Sequence, residues 1–195
     1  MTTALTPANQ LTLLRMLLIP AFVILVVYGH LGWALTVFAT AGITDGLDGL
    51  IARRSGQKTR LGAWLDPMAD KLLLVTTFIV LTLPGLGLAN RLPIWLTVLI
   101  ISRDVVIVLT VAIISLAIGP RTFQPTVYGK VATATYIVTA VVAMLFNYLR
   151  YHSVFVDLAI WASLAITLVS GLHYIWVGAR IIEEPQGKKN RTRVA

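Results

Sequence analysis

The sequence predicts an all-α integral membrane protein with six transmembrane helices and a short interfacial helix at the N-terminus. Of the 195 residues, 57% are apolar and only 12% are charged, and the mean hydropathy is +0.85. Soluble domains carry about 25% charged residues, so this composition excludes a water-soluble domain, a disordered chain and a nucleic-acid-binding protein. The net charge is +8, and the basic residues lie mostly in short loops and a tail. This distribution is typical of a surface that faces anionic cytoplasmic lipids.

Six apolar segments approach the roughly 20 residues that an α-helix needs to cross a bilayer. Their approximate limits are 11–29, 32–52, 66–86, 93–118, 127–148 and 154–180. Thr6 followed by Pro7 is typical of a helix start and predicts the short interfacial helix that leads into the first segment. Lys and Arg concentrate in the second–third and fourth–fifth connections and in the tail, so the positive-inside rule places both termini in the cytoplasm. We therefore expect one transmembrane domain, 1–182, followed by a polar, basic tail, 183–195.

Four of the eight acidic residues fall within 26 positions at the junction of the second and third segments. Asp45 and Asp48 are spaced i, i+3, and Asp66 and Asp70 are spaced i, i+4, so each pair projects from one helix face. Antiparallel helices would bring the pairs together, and four carboxylates at membrane depth need positive charge to stay ionised. Because the chain has no cysteine and no clustered histidines, two Mg²⁺ or Mn²⁺ ions are favoured over zinc. The alternative is that these are solvated acids at helix ends, which the apolar runs on both sides argue against.

The spacing of these residues resembles the signature of the CDP-alcohol phosphatidyltransferase family. From Asp45 the chain reads Asp-x-x-Asp-Gly-x-x-Ala-Arg, then eight residues, then Gly-x-x-x-Asp-x-x-x-Asp ending at Asp70, so all eight fixed positions are filled. The resemblance implies a homodimer that transfers a phosphatidyl group from a CDP-linked lipid to an alcohol and releases CMP. It also implies that Asp45, Asp48 and Asp66 bind two metal ions, and that Asp70 lies near the second ion and acts as general base.

The same resemblance implies a CDP-binding surface at the signature and the start of the chain. It would be formed by Asn9, Thr12, Asp48, Gly49, Ala52, Arg53 and Gly62. The planar guanidinium of Arg53 would bind the diphosphate, and the small residues would leave room for the nucleotide. Helix packing is the alternative for the glycines, and helix capping is the alternative for Asn9 and Thr12.

The opening segment, 9–20, resembles the phosphatidylglycerophosphate synthase and bacterial cardiolipin synthase branches of the family. We therefore expect transfer from CDP-diacylglycerol to glycerol 3-phosphate, with phosphatidylglycerol or another alcohol as the alternative acceptor. Four cations are candidates for binding the acceptor phosphate: Arg103, Arg121, Lys130 and Arg180. Ordinary positive-inside flanking is the alternative for Arg121 and Arg180. Because adjacent residues point apart on a helix, Arg103 and Asp104 are expected to have separate partners.

A divalent-cation transporter is the competing class of function, because acidic residues in a membrane also line ion pathways. A transporter needs a polar path across the bilayer, whereas segments such as Phe22 to Val27 and Val75 to Leu81 offer few polar groups. A structural scaffold is disfavoured, since burying four carboxylates would cost stability. The sequence therefore predicts a multi-pass enzyme of lipid synthesis in the cell's inner (plasma) membrane, with its active site open to the cytoplasm.

Overall fold

Six helices make up the described part of the chain. The computed structural model describes the backbone of residues 7–55, 60–118 and 126–183, and the side chains at 10–44, 68–113, 116, 126–178 and 180. The helices are α1 (Pro7–Val27), α2 (Leu31–Ser55), α3 (Arg60–Thr82), α4 (Ile94–Ile118), α5 (Val127–Tyr148) and α6 (Val154–Glu183). No strand occurs in these three backbone segments, and the predicted all-α fold is confirmed.

Each predicted apolar segment corresponds to one helix, with differences at the ends. The limits of α4, α5 and α6 agree with the prediction to within three residues. The predicted helix start at Pro7 is confirmed, and the chain continues from there as a single helix to Val27, so the short N-terminal helix is continuous with the first span. Asn9 and Gln10 are polar but do not interrupt the backbone hydrogen bonds. α3 ends at Thr82, earlier than predicted, since Pro84 has no backbone N–H with which to continue the helix.

Four helices in the described part of the chain are long and apolar enough to cross a membrane. They are α1, α4, α5 and α6, whose qualifying stretches are Gln10–Val27, Ile94–Ile113, Val127–Tyr148 and Val154–Gly178. α2 contributes the shorter apolar stretch Leu31–Thr44, which ends where its acidic residues begin. The chain is therefore a multi-pass membrane protein, and for α2 and α3 the six-span layout stays a prediction.

The helices pack as two groups of three. α1 packs along α2 and α3, and α6 packs along α5 and α4, while contacts of α2 with α5 and of α3 with α4 and α5 join the groups. Large buried side chains fill the core, among them Phe22, Phe78, Leu81, Leu96 and Tyr136. The rings of Phe78 and Tyr136 meet edge to face with centroids 6.0 Å apart. This contact holds the C-terminal half of α3 against α5.

Side-chain hydrogen bonds join α5 to α6 inside the apolar bundle. The hydroxyl oxygens of Tyr136 and Thr167 lie 2.7 Å apart, and those of Thr139 and Ser163 lie 2.8 Å apart. All four side chains are buried. Because there is little water at this depth, each hydroxyl needs a partner within the protein, and these pairs supply one.

Asn90 and Asn147 form a buried hydrogen-bonded clasp where the α3–α4 connection meets the end of α5. Asn90 N donates to Asn147 Oδ1 at 2.7 Å, and Asn147 Nδ2 donates back to Asn90 O at 3.1 Å. Asn90 Nδ2 donates to Tyr151 O at 2.7 Å, and Ser153 N donates to Asn90 Oδ1 at 3.0 Å. The clasp therefore fixes the α3–α4 and α5–α6 connections to each other.

Asn147→Ala is expected to destabilise the protein by about 2–4 kcal/mol, because it removes the partner of the buried N–H and C=O groups of Asn90. The Tm of the purified protein in detergent should fall by about 5 °C or more. Thr133→Ala is the matched control on α5, since the exposed Thr133 hydroxyl donates to Gly129 O of its own helix. Equal melting temperatures for the two variants would show that the clasp does not stabilise the fold.

Candidate active site

The helical backbone places the four predicted aspartates on two consecutive helices that contact each other. Asp45 and Asp48 lie in the C-terminal half of α2, and Asp66 and Asp70 lie in the N-terminal half of α3. The described side chains include that of Asp70 but not those of the other three aspartates. The assembly of the four carboxylates into one site therefore stays a prediction, and the contacts of Asp70 are the part of it that can be described.

The predicted CDP-binding residues lie on the same helices and on α1. The helical backbone is described at Asn9, Gly49, Ala52, Arg53 and Gly62, but their side-chain surroundings lie outside the described residues. Thr12 is described and is fully buried in α1. Since α1 packs against both α2 and α3, this part of α1 belongs to the same bundle of three helices as the aspartates.

Asp70 forms an ion pair with Arg15, which projects from α1. Arg15 Nη1 donates a hydrogen bond to Asp70 Oδ1. The Arg15 side chain is 1% exposed, whereas the Asp70 side chain is 42% exposed. A guanidinium inside a membrane helix is costly unless negative charge faces it, so Asp70 stabilises Arg15 in the interior. The pair also joins α1 to α3 and orients a carboxylate that is partly exposed.

A second set of charged contacts begins one residue later on α3 and continues into α4 and α6. Lys71 Nζ lies 3.1 Å from Asp104 Oδ2, and Arg103 Nη1 donates to Asp104 Oδ1 at 2.8 Å. Arg103 Nη2 donates to Ser170 Oγ on α6. The carboxylate of Asp104 therefore faces two cations, which compensates its own burial in the bundle.

The direct contact between Arg103 and Asp104 shows that the expectation of separate partners was wrong. The arginine side chain is long enough to turn back along α4 to the neighbouring carboxylate, and the second oxygen of that carboxylate still accepts from Lys71. Arg103 is 9% exposed, and its guanidinium carbon lies 5.7 Å from the centre of the Tyr174 ring. Its buried Nε has no hydrogen-bond partner among the described residues. Arg103 is therefore packed between helices.

The start of α5 lies beside Arg103. A Cβ atom placed on Gly129 would be 3.5 Å from Arg103 Nη2 and 3.2 Å from the Tyr174 hydroxyl. Thr126 caps α5, and its hydroxyl accepts from Gly129 N at 3.2 Å. Lys130 follows Gly129 and is exposed. Of the predicted acceptor-phosphate cations, Arg103 thus lies against the first turn of α5, and Lys130 is in that same turn.

The structure does not describe either of the other two predicted acceptor-phosphate cations beside Arg103. Arg180 is exposed, and its guanidinium carbon lies 4.1 Å from the centre of the Trp176 ring. The Arg103 partner Ser170 precedes Arg180 by ten residues on α6, which is about 15 Å along the helix axis. Arg121 lies outside the described residues.

The donor set of the predicted metal site consists of carboxylate oxygens, which Mg²⁺ and Mn²⁺ prefer as ligands. Among the described side chains, no three His, Asp or Glu residues come together, and three of the four predicted ligands lie outside that set. Asp70 fits the role, because its carboxylate is partly exposed and is one helical turn from Asp66. The chemistry of the donor set therefore fits hard divalent ions.

Two residues that contact the candidate site were given no role from the sequence. For Arg15 a signal existed, because it is a cation inside the apolar α1, where a charge needs a partner. For Lys71 there was none, since its contact with Asp104 depends on how α3 packs against α4.

Comparison with known proteins gives one family. The family model for CDP-alcohol phosphatidyltransferase matches residues 5–169. A Mycobacterium tuberculosis protein named probable phosphatidylglycerophosphate synthase is 36% identical over 179 residues, covering 86% of this chain and 79% of the relative. The CDP-diacylglycerol–glycerol-3-phosphate 3-phosphatidyltransferase of Bacillus subtilis is 34% identical over 185 residues, covering 85% of this chain and 91% of the relative. Human cardiolipin synthase (CMP-forming) is 32% identical over 195 aligned residues, covering 90% of this chain and 62% of the relative.

Proposed function

The chain belongs to the CDP-alcohol phosphatidyltransferase family, and we propose that it transfers the phosphatidyl group of CDP-diacylglycerol to glycerol 3-phosphate. The products would be phosphatidylglycerophosphate and CMP. Membership of the family makes the chain a transferase of phospholipid biosynthesis, which sets aside the cation-transporter alternative. The relative named for the glycerol 3-phosphate reaction aligns over most of both chains, and this supports glycerol 3-phosphate as the acceptor.

The observation that carries the proposal is the environment of Asp70. Its carboxylate is partly exposed, and the buried guanidinium of Arg15 holds one of its oxygens. It also stands at the last fixed position of the family signature. A general base must be accessible to the hydroxyl that it deprotonates and must keep a defined direction, and Asp70 meets both requirements.

In the proposed reaction, Asp70 takes the proton from the acceptor hydroxyl. The hydroxyl oxygen forms a bond to the phosphorus that carries diacylglycerol, and the bond from that phosphorus to the bridging oxygen breaks. CMP leaves with the bridging oxygen and the bonding electron pair. Arg15 would act as a positioning residue, because its guanidinium binds Asp70.

The residues present would hold two divalent ions and the CDP group. The family generally depends on a divalent metal, and the proposed ligands are Asp45, Asp48, Asp66 and Asp70. Bound Mg²⁺ or Mn²⁺ would stabilise the negative charge that develops on the phosphate oxygens. Arg53 would bind the diphosphate, and the rest of the CDP surface would be Asn9, Thr12, Asp48, Gly49, Ala52 and Gly62.

The acceptor phosphate would bind near the start of α5. Arg103 packs beside Gly129 there, Lys130 is the next residue of the chain, and both cations can donate to phosphate oxygens. Arg121 and Arg180 are the further candidates. The full assembly would be a homodimer in the cell's inner membrane. Both termini would lie in the cytoplasm, as the distribution of Lys and Arg supports.

Phosphatidylglycerol is the second candidate acceptor. Cardiolipin synthases (CMP-forming) from rat and human align over 92% and 90% of this chain at 34% and 32% identity. These identities are close to that of the glycerol 3-phosphate enzyme, so the same donor chemistry with a lipid acceptor is the second candidate.

The proposed function is tested by following CMP release from CDP-diacylglycerol by the purified protein with Mg²⁺. The acceptor panel contains glycerol 3-phosphate, phosphatidylglycerol, serine and inositol phosphate. We expect release with glycerol 3-phosphate alone, and we expect no release after exhaustive chelation until Mg²⁺ or Mn²⁺ is restored.

Each other outcome has a distinct meaning. Release with phosphatidylglycerol alone would replace the proposed acceptor and identify a cardiolipin synthase. Release with serine or inositol phosphate would assign another alcohol. Full activity after chelation would overturn the two-metal site, whatever the acceptor.

A further inference from the structure

A cleft of about 570 Å³ opens where α1 leads into α2 and where α5 ends. Nine residues line it, and none of them is acidic. The lining includes one cation, Arg150, one histidine, His30, and the aromatic residues Trp33 and Tyr148. The volume is within the range of about 300–1,000 Å³ typical of small-molecule sites.

The cleft lies at the opposite end of α2 from the aspartates. Leu31 lines the cleft and precedes Asp45 by 14 residues, which is about 21 Å along the helix axis. A molecule in the cleft therefore does not reach the predicted transferase site. If the aspartates face the cytoplasm, the cleft faces the other leaflet of the membrane.

Arg150 occupies a backbone conformation that favours glycine. Its φ is 53°, and it is the one non-glycine residue with positive φ in the described backbone. The end of α5 is closed by hydrogen bonds from Arg150 N to Asn147 O and from Tyr151 N to Phe146 O. In this type of helix ending, the left-handed position is usually glycine.

The end of α1, on the same cleft, provides a direct comparison. It is closed by the same pair of bonds, from Gly29 N to Val26 O and from His30 N to Leu25 O, and the left-handed residue is Gly29 with φ 76°. Two adjacent helix ends thus have the same geometry, and one carries an arginine where the other carries glycine. Strained left-handed residues cluster at ligand-binding positions, and Arg150 lines the cleft.

We propose that this cleft binds the phosphate-bearing headgroup of an anionic phospholipid from the leaflet opposite the transferase site. The charge is complementary, because Arg150 donates to phosphate oxygens, His30 can donate from its imidazole, and no acidic residue lines the cleft. The Arg150 guanidinium forms no ion pair with the described residues. Leu31 and Leu35 line the same cleft, and Trp33 is 69% exposed, so an acyl chain has an apolar surface to follow.

The test measures lipid binding by the full-length protein in neutral detergent, using native mass spectrometry and thermal unfolding. The probes are phosphatidylglycerol, phosphatidylcholine and inorganic phosphate. The variants are Arg150→Gly, which removes the cation and suits the backbone, and Arg150→Lys, which keeps the charge. Arg91→Ala is the matched control, because Arg91 is an exposed cation at the same end of the bundle that does not line the cleft.

In native mass spectrometry, we expect Arg150→Gly to retain one phosphatidylglycerol molecule fewer than the wild type. Its affinity for added phosphatidylglycerol at the cleft should be at least about fivefold weaker. Without lipid, its Tm should equal or exceed that of the wild type, because the left-handed residue is now glycine. Arg150→Lys and Arg91→Ala should keep the bound lipid. This readout is independent of CMP release, so it stands whether or not the proposed transferase reaction is correct.

Unchanged phosphatidylglycerol binding in Arg150→Gly would overturn the proposal. Equal stabilisation by inorganic phosphate would also overturn it, since the cleft would then bind free anions rather than lipid. A loss of dimer without any loss of lipid would assign the cleft to an interface between two copies of the chain instead.

Discussion

Asp70→Asn is expected to abolish CMP release, with a fall in kcat of about 10²–10⁴, the range typical of losing a general base. The asparagine amide is nearly the same size and its oxygen can still accept from Arg15, but it cannot take a proton from the acceptor hydroxyl. The measurement is CMP release from CDP-diacylglycerol with saturating glycerol 3-phosphate and Mg²⁺. Asp157→Asn is the matched control, because Asp157 is an exposed acid in the first turn of α6.

Asp70→Asn also removes negative charge from in front of a buried cation, so its stability must be measured alongside its activity. The amide can still accept from Arg15 but carries no charge, so the variant loses the ion pair at a guanidinium that is 1% exposed. The double variant Arg15→Met/Asp70→Asn removes both charges and should recover part of the lost Tm. Inactivity that persists in the double variant separates the loss of the base from the loss of stability. Wild-type turnover in Asp70→Asn would remove Asp70 as the base.

Arg15→Met is expected to lower kcat by at least about tenfold while changing the KM for the acceptor little, because a small misplacement of a catalytic group has large effects on rate. Its Tm should stay close to that of the wild type. The variant leaves a carboxylate that is 42% exposed and can be hydrated, whereas in Asp70→Asn the residue that loses this ion pair is 1% exposed. The asymmetry in burial thus predicts that the two halves of one ion pair affect stability unequally.

Arg15→Lys provides the matched control for the positioning role. Lysine keeps the charge but presents it from a single nitrogen, so it should restore part of kcat. Partial rescue with an unchanged KM is the signature of a residue that orients Asp70. If Arg15→Met turned over like the wild type, or if it lost activity only in proportion to unfolded protein, the positioning role would be wrong.

The apolar pattern predicted the helices well because membrane spans have a simple requirement for length and hydropathy. The predicted limits of α4, α5 and α6 agree closely with those of the structure. α1 starts before its apolar segment, at the Pro7 that the Thr6–Pro7 pair indicated, since polar side chains such as Asn9 do not stop a helix. α3 ended early because Pro84 stops it. Local backbone chemistry, rather than apolar periodicity, decided both of these ends.

The long-range polar contacts could not be derived from the sequence. Arg15 and Asp70 are 55 residues apart, and Asn90 and Asn147 are 57 apart, so their pairing depends on which helices pack together. The prediction that Arg103 and Asp104 have separate partners failed for a different reason. Helix geometry fixes the direction in which each side chain leaves the backbone, but a long, flexible arginine side chain can still bend back and contact the adjacent residue. The aspartate signature, by contrast, depends on spacing along consecutive helices and could be recognised directly.

The two ion pairs on adjacent residues of α3 constrain how that helix can move. Asp70 is bound to α1, and Lys71 is bound to α4 in the other group of three helices. Adjacent side chains on a helix project about 100° apart, so a rotation of α3 about its axis would disturb both pairs. In the proposed reaction, α3 would therefore keep its rotational setting and hold the direction of Asp70, and room for an entering lipid donor would come from α2, which neither of these two ion pairs involves.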